Sequence, residues 1–202
     1  MGNEVKCTAR IGKQQSAGKA LLETSEIIFR GDFRLKIPFA AIQPVKAVDG
    51  ELRVQAPEGL VIFRLGAAGE KWRDKILHPK SRIEKLGVKA GAKVSLLGGF
   101  DAGFLREIGG VTKPVTKGKV AADSDWIFLA ADSKAELAAA SKIAKSLQGA
   151  AALWIVYPKG QKHITENDVL AVGRKCGLKD VKVVGFSSTH TALKFVIPLS
   201  KR

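Results

Sequence analysis

The chain has 202 residues, of which 34 are Lys or Arg and 19 are Asp or Glu, so its formal net charge is +15. A hydrophobic fraction of 46% is typical of an ordinary globular protein. The longest apolar run, 150–157, is far shorter than the ~20 residues of a membrane-spanning helix, and no segment at the N-terminus has the pattern of a signal peptide. We therefore expect a cytoplasmic protein with an excess of positive charge.

The potential metal ligands are scattered. Cys7 and Cys176 have no closely spaced Cys or His partners, and His78, His163 and His190 lie far apart in the sequence. Structural metal sites and disulfide frameworks need closely spaced or paired ligands. We therefore expect no metal site and interpret both cysteines as ordinary thiols.

The first eighty residues predict a series of short strands, because apolar residues alternate with polar ones between turn residues. An Asp49-Gly50 pair between two of these runs is typical of a tight hairpin turn. A polar stretch, 12–17, is expected to be a loop. The predicted strands are 5–11, 18–23, 27–29, 34–39, 45–48, 52–55 and 60–65.

A helix is predicted after the last of these strands. Ala68, Trp72 and Ile76 are spaced to share one helical face, and Pro79 ends the segment. Six or seven strands followed by one amphipathic helix resemble the pleckstrin-homology-like superfold, including its GRAM-like members. The resemblance implies that 1–79 form a barrel of two near-orthogonal sheets, with the helix closing one end and Trp72 as its buried plug.

Basic residues around the first hairpin carry the phosphoinositide specificity of that superfold. Arg10, Lys13 and Lys19 match this signature only loosely. We therefore infer no lipid specificity and interpret the three as solvated strand and loop residues.

A short helical linker is predicted between the two halves, over 80–90. Ser81 and Glu84 have the spacing of a capping box, in which each side chain binds the backbone N–H of the other residue. Gly87 stands where such a helix would end in a left-handed residue.

The second half, 91–202, alternates continuous apolar runs with helical segments, which predicts a mostly parallel sheet. Helices are expected after Gly98, after Ser133 and after Thr165. A final pair of strands is expected to lie antiparallel at the edge of the sheet, as at the end of the Rossmann-like methyltransferase fold. The predicted strands are 93–97, 125–130, 151–157, 181–186 and 191–197.

Three segments carry a more specific resemblance. Residues 91–98, 152–159 and 191–195 look like a small bacterial domain family of unknown function with a truncated methyltransferase-like fold. The resemblance implies a fold and no activity. The predicted fold class is therefore an α+β barrel followed by an abbreviated Rossmann-like α/β domain.

Glycines after the first strand of this domain are candidates for cofactor binding, because glycine lets the backbone approach a ligand closely. The acidic residue that methyltransferases usually carry before this turn is replaced by leucine, and the next segment, 111–120, offers no acid. The alternative is a tight turn needed only for packing. The candidates are Gly98, Gly99 and Gly103.

Lys159 is the second candidate, because it follows a buried strand at the edge where open α/β sheets place their ligands. His190 and Lys194, from the final pair of strands, could be its neighbours around an anionic group. The alternative is a turn with solvated charges.

No catalytic signature is complete in either half. The sequence therefore predicts a non-enzymatic binding or regulatory protein without a cofactor, which recognises an anionic or acidic partner because both halves are basic. Nucleic acid and anionic membrane stay among the candidate partners. The alternative is an S-adenosylmethionine-dependent methyltransferase with a divergent cofactor site.

Overall fold

The computed structural model describes residues 3–202. These residues form two compact units, one that extends to Lys80 and one that comprises Ser81–Arg202. Each unit encloses its own buried apolar residues. No helix in the described part of the chain is both long enough and apolar enough to span a lipid bilayer.

Seven antiparallel strands and one helix form the first unit, as the alternating pattern predicts. The hydrogen-bonded order is β4-β3-β2-β1-β7-β6-β5. The elements are β1 Asn3–Ile11, β2 Gln14–Leu22, β3 Glu26–Arg30, β4 Arg34–Pro38, β5 Val45–Val48, β6 Glu51–Ala56, β7 Gly59–Arg64 and α1 Ala68–Leu77. The turn residues Asp49 and Gly50 both have positive φ, 51° and 75°, which confirms the predicted hairpin turn.

The loop predicted at 12–17 is wrong, because the chain turns in two residues after Ile11 and β2 begins at Gln14. Its polar residues are part of the strand. Ser16 is buried, and its hydroxyl donates to the Asp32 carboxylate and accepts from the Asp32 N–H, at 3.0 and 2.9 Å. A buried hydroxyl that is hydrogen-bonded in this way is compatible with a core-facing strand position.

The sheet curls around its core. Phe29 on β3 and Phe63 on β7 have ring centroids 6.1 Å apart, although two strands lie between β3 and β7 in the hydrogen-bonded order. In a flat sheet three strand spacings of ~4.8 Å would separate them by about 14 Å. Trp72 of α1 is buried in the same core, with 2% of its surface exposed.

The second unit is a six-stranded sheet with helices. β8, β9, β10 and β11 pair in parallel, whereas β13 lies antiparallel between β11 and β12. This confirms the predicted mostly parallel sheet with an antiparallel last strand. The elements are α2 Arg82–Leu86, β8 Val94–Leu97, α3 Ala102–Val111, β9 Val115–Lys117, β10 Trp126–Ala130, α4 Lys134–Leu137, α5 Ala140–Ala144, β11 Ala152–Pro158, α6 Glu166–Lys175, β12 Lys179–Gly185 and β13 His190–Val196.

The helix predicted after Ser133 is two short helices, α4 and α5. Between them the Ala139 N–H binds the Glu136 carbonyl, three residues back, which is the tighter 3₁₀ pattern. Leu137 of α4 and Ala140 and Ile143 of α5 are buried, at 1–2% exposure.

The segment predicted as a linker belongs to the second unit. Its capping box is confirmed, because the Glu84 N–H donates to the Ser81 hydroxyl at 3.1 Å and the Ser81 N–H donates to the Glu84 carboxylate at 2.7 Å. Gly87 ends α2 with a φ of 80°. Ile83 and Leu86 are buried with the residues of β8 and α3, so α2 packs on that sheet.

We expect Asp168→Asn to lower the free energy of unfolding at neutral pH. We also expect this free energy to fall less than in the wild type as the pH becomes acidic. The Lys134 ammonium, 2.9 Å away, and the Thr165 capping box lower the pKa of Asp168 from 3.8 to about 2. Because the folded pKa is the lower one, the stabilisation is present above the unfolded value and is lost as the pH falls towards 2.

Urea unfolding between neutral pH and pH 3 measures this effect. Asp180→Asn is the control, because Asp180 is exposed and has no ion pair among residues 3–202. Equal acid sensitivity of wild type and Asp168→Asn would contradict the assignment.

Candidate ligand cleft and cation row

A cleft opens at the edge of the second sheet where β8, β10 and β11 end. Because these strands are parallel, their carboxyl ends meet at one edge, and the turn from β12 to β13 reaches the same edge. Pro158 lies directly opposite His190 there. The cleft has a volume of about 260 Å³. We call it the carboxyl-edge cleft. It is lined by Arg82, 99–101, Ala130, Asp132, Val156 and 186–190.

Arg82 is the cation on one wall of the cleft, and its charge is compensated. Its guanidinium donates to Asp101 at 3.0 Å and, through two nitrogens, to Glu107 at 2.9 and 3.0 Å. The rings of Phe104 and Phe186 lie 5.1 and 4.8 Å from its central carbon. One cation that faces two carboxylates and two aromatic rings has little capacity left for an anionic ligand.

Asp101 has two roles at this wall. Its carboxylate caps α3 by accepting from the Phe104 N–H at 2.7 Å, and it also pairs with Arg82. Partial burial opposes ionisation of Asp101, but the hydrogen bonds from Arg82 and from the Phe104 N–H outweigh it, so the pKa lies below the usual value. The carboxylate therefore stays charged at neutral pH and does not act as a proton donor.

A chain of hydrogen bonds crosses the opposite wall. His190 Nε2 lies 3.1 Å from Asp132 Oδ1, and His190 Nδ1 lies 2.9 Å from the Thr189 hydroxyl. The Ser187 hydroxyl follows at 3.2 Å. With the proton on Nε2, the imidazole donates to Asp132 and accepts from Thr189. The Asp132 side chain is 70% exposed, so water competes for it and the chain is not a sheltered catalytic relay.

The structure brings two of the three predicted ligand residues together. Lys159 donates to the Ser187 carbonyl at 2.7 Å, and His190 lies in the same turn region. Lys194 is elsewhere, because it lies four residues further along β13, opposite Trp154. Its ammonium stands 4.2 Å from the Trp126 ring centroid. Burial, followed by the neighbouring cations Lys182 and Arg202, lowers the pKa of Lys194.

The predicted glycine turn lies at the cleft, but packing explains two of its three glycines. Gly98 has a φ of +87°, and a Cβ there would stand 2.5 Å from the Ala130 carbonyl oxygen. A Cβ on Gly103 would stand 2.8 Å from the Asp101 carboxylate. Gly99 faces open space. Only Gly99 therefore keeps an unobstructed backbone towards the cleft.

The residues present do not fit S-adenosylmethionine well. The strand next to β8, β9, is the one whose end would supply a carboxylate for the ribose hydroxyls. It ends at Lys117 and is followed by Gly118 and Lys119, so the described residues at this strand end carry positive charge instead. The volume of about 260 Å³ is also at the lower limit for a drug-sized ligand.

The sequence analysis did not identify Asp132 and Arg82 as residues of the cleft. Asp132 stands two residues after the predicted strand 125–130, so the rule that ligands bind at strand ends could have identified it. His163 also contacts Asp132, through its carbonyl oxygen at 2.9 Å. Arg82 had no such signal, because its partners Asp101 and Glu107 are distant in sequence.

A second candidate site is a line of positive charge on the outward face of the first sheet. In the observed register Lys6 lies directly opposite Lys19, Lys19 opposite Arg30, and Arg30 opposite Arg34. All four side chains are exposed. We call these four residues the cation row. Only the hairpin register reveals it, which the misplaced loop at 12–17 concealed.

Few anionic groups balance the cation row. Glu4 pairs with Lys19 at 2.8 Å, and the hydrogen bond from Lys19 together with the charges of Arg30 and Lys6 lowers the pKa of Glu4. Among residues 3–202, Lys6, Arg30 and Arg34 have no ion pair. Lys6 and Lys19 also line an open hollow together with Arg64. Three of the four cations in the row are therefore uncompensated by an ion pair.

No protein-family model matches the chain, and no curated protein matches it significantly. Solved structures that are similar to parts of it include the following two. The C-terminal domain of an unknown protein from Leishmania infantum has a TM-score of 0.32 at 10% identity, with 38% of this chain and 80% of that chain covered. A TehB-like SAM-dependent methyltransferase from Corynebacterium glutamicum has a TM-score of 0.41 at 16% identity, with 63% and 95% covered. At such low values neither likeness supports a conclusion about activity.

We expect Gly98→Ala to destabilise the protein by about 2 kcal/mol, because Ala would be strained at positive φ and its Cβ would meet the Ala130 carbonyl. Gly99→Ala is the matched control, and its effect should stay within about 0.5 kcal/mol. Urea unfolding of both variants measures the difference. Similar losses in the two variants would show that packing does not distinguish these glycines.

Proposed function

We propose that this chain is a non-enzymatic binding protein with a regulatory role, which recognises an anionic or acidic partner. The observation that carries the proposal is the cation row, in which Lys6, Lys19, Arg30 and Arg34 stand directly opposite one another on four neighbouring strands. Their outward position makes them accessible to a partner.

The electrostatic repulsion within the cation row supports a binding role for it. Like charges directly opposite on neighbouring strands destabilise a sheet. The row contains three such contacts, and Glu4 relieves only part of the repulsion. An anionic partner would remove it. In the carboxyl-edge cleft, by contrast, Arg82 is already paired with two carboxylates.

We further propose that the first unit is a pleckstrin-homology-like barrel and the second an abbreviated Rossmann-like domain. A seven-stranded antiparallel sheet curled around one core and followed by α1 with its buried Trp72 supports the first assignment. The inserted antiparallel β13 beside parallel strands supports the second.

The proposed function predicts that the chain binds a generic polyanion through the cation row. On immobilised heparin, the double variant Lys19→Gln/Arg30→Gln should elute at lower salt than the wild type. Removal of two exposed ion pairs should weaken affinity by about tenfold. Binding should fall steeply as salt rises, because exposed charges are screened.

The matched control is Lys142→Gln/Lys145→Gln, which removes the same charge from exposed positions in the second unit. It should elute close to the wild type. Equal shifts for both double variants would mean that net charge, and not the row, determines binding. Circular dichroism should show that both variants are folded.

The alternative function is an S-adenosylmethionine-dependent methyltransferase with a divergent cofactor site. One observation favours it, namely that the turn containing Gly99 opens on a cleft at the carboxyl edge of a parallel sheet. The lack of a carboxylate at the end of β9 is the observation against it.

Thermal unfolding with S-adenosylmethionine or its demethylated product separates the two functions. A ligand at about a hundredfold excess over its Kd adds about 2.7 kcal/mol of stability. We expect no shift of the unfolding midpoint. A saturable shift that Gly99→Asp abolishes would favour the methyltransferase.

A further inference from the structure

The cation row has an apolar neighbour on the same face of the sheet. Leu21 and Ile28 lie two residues away from Lys19 and Arg30 along their strands, so all four side chains point outward. Leu21 lies directly opposite Ile28, and both are half-buried rather than covered. We call Leu21 and Ile28 the aliphatic pair. The outward face therefore offers a line of cations beside a small apolar surface.

The composition of this face disfavours single-stranded nucleic acid. Proteins that bind single strands combine cations with aromatic side chains on which bases stack. Among the described residues, no aromatic side chain stands at an outward position of β1–β4. Those positions hold Glu4, Lys6, Thr8, Arg10, Gln15, Ala17, Lys19, Leu21, Glu26, Ile28, Arg30, Arg34, Lys36 and Pro38. The phosphates of a single strand could pair with the cations, but its bases could not stack on the aliphatic pair.

The curvature of the sheet disfavours a flat anionic membrane. The cation row runs across the strands, which is the direction in which the sheet curls around its core, as the 6.1 Å separation of the Phe29 and Phe63 rings requires. A flat surface cannot follow a convex line of charges over its whole length. A flexible chain can.

We propose that the partner is an acidic polypeptide segment that carries aliphatic residues among its carboxylates and lies across β1–β4. This identification rests on the proposed function. The four cations span three strand spacings, about 14 Å, which four or five extended residues cover. Carboxylates of the segment would pair with Lys6, Lys19, Arg30 and Arg34. Its aliphatic side chains would cover the aliphatic pair.

Fluorescence anisotropy with four probes tests the identity of the partner. The first is a labelled peptide in which every third residue is Leu and the others are Glu, and the second has Ser in place of Leu. The third is an oligo-deoxythymidylate of equal charge, and the fourth is a vesicle that contains phosphatidylserine. We expect the Glu/Leu peptide to bind most tightly at about 0.15 M salt, where exposed charges more than ~8 Å apart are screened.

Two double variants separate the roles of charge and apolar contact. Lys19→Gln/Arg30→Gln should weaken both peptides by about tenfold. Leu21→Thr/Ile28→Thr should weaken the Glu/Leu peptide by about fivefold and leave the Glu/Ser peptide unchanged, because only the former has aliphatic groups to bury. Lys142→Gln/Lys145→Gln is the charge-matched control and should behave like the wild type.

Each outcome distinguishes this inference from the proposed function. If the oligonucleotide or the vesicle binds more tightly than both peptides and depends on Lys19 and Arg30, the proposed function stands and the polypeptide partner is wrong. Equal affinity for the Glu/Leu and Glu/Ser peptides would also overturn the assignment of aliphatic residues to the partner. If no probe binds even at low salt, both proposals are wrong.

Discussion

The registers of the first two hairpins, β1 with β2 and β2 with β3, are the constraint on which the surface of the first unit depends. Gly18 fits only because it has no Cβ, which would stand 2.4 Å from the Arg30 carbonyl, and a Cβ on Gly31 would meet the Ser16 hydroxyl at 2.5 Å. These contacts fix β2 against β3. A slip by one residue would also turn the core side chains to water. The same register aligns Lys19 between Lys6 and Arg30, so the core determines where the charges meet.

Arg82 and the cation row differ in how far carboxylates compensate their positive charge. In the second unit Arg82 is held between Phe104 and Phe186 and shares its charge with Asp101 and Glu107, so it joins α2 to α3 and to the end of β12. Such a cation stabilises structure and has little free capacity for a ligand. In the cation row of the first unit, among residues 3–202, Lys19 pairs with Glu4 and the other three cations have no ion pair. Arg82 therefore supports the structure of the second unit, whereas the cation row keeps positive charge that a partner could neutralise.

Sequence patterns predicted every strand except β9, the helix with Trp72 and the capping box at Ser81, because each depends on neighbours within a few residues. The two sites depended on distant pairing. Lys159 and His190 meet only through the antiparallel insertion of β13, and Lys194 falls outside that edge because strand rise carries it away. The cation row could be identified only from the register of β1 with β2. Polar residues such as Gln14 and Gln15 led to a loop prediction there, so this register was not predicted.

Solubility alone does not account for the arrangement of the cation row. A net charge of +15 keeps a protein soluble wherever the charges lie, and placement of Arg30 away from Lys19 would avoid direct repulsion. The neighbouring outward positions are not uniformly cationic, since Ile28 and Leu21 occupy the next line across β2 and β3. This surface has repulsion in one line and half-buried apolar groups in the next, and an acidic, partly aliphatic chain would satisfy both. Binding of such a chain would reduce the repulsion between the cations and would bury apolar area. Both changes would favour binding.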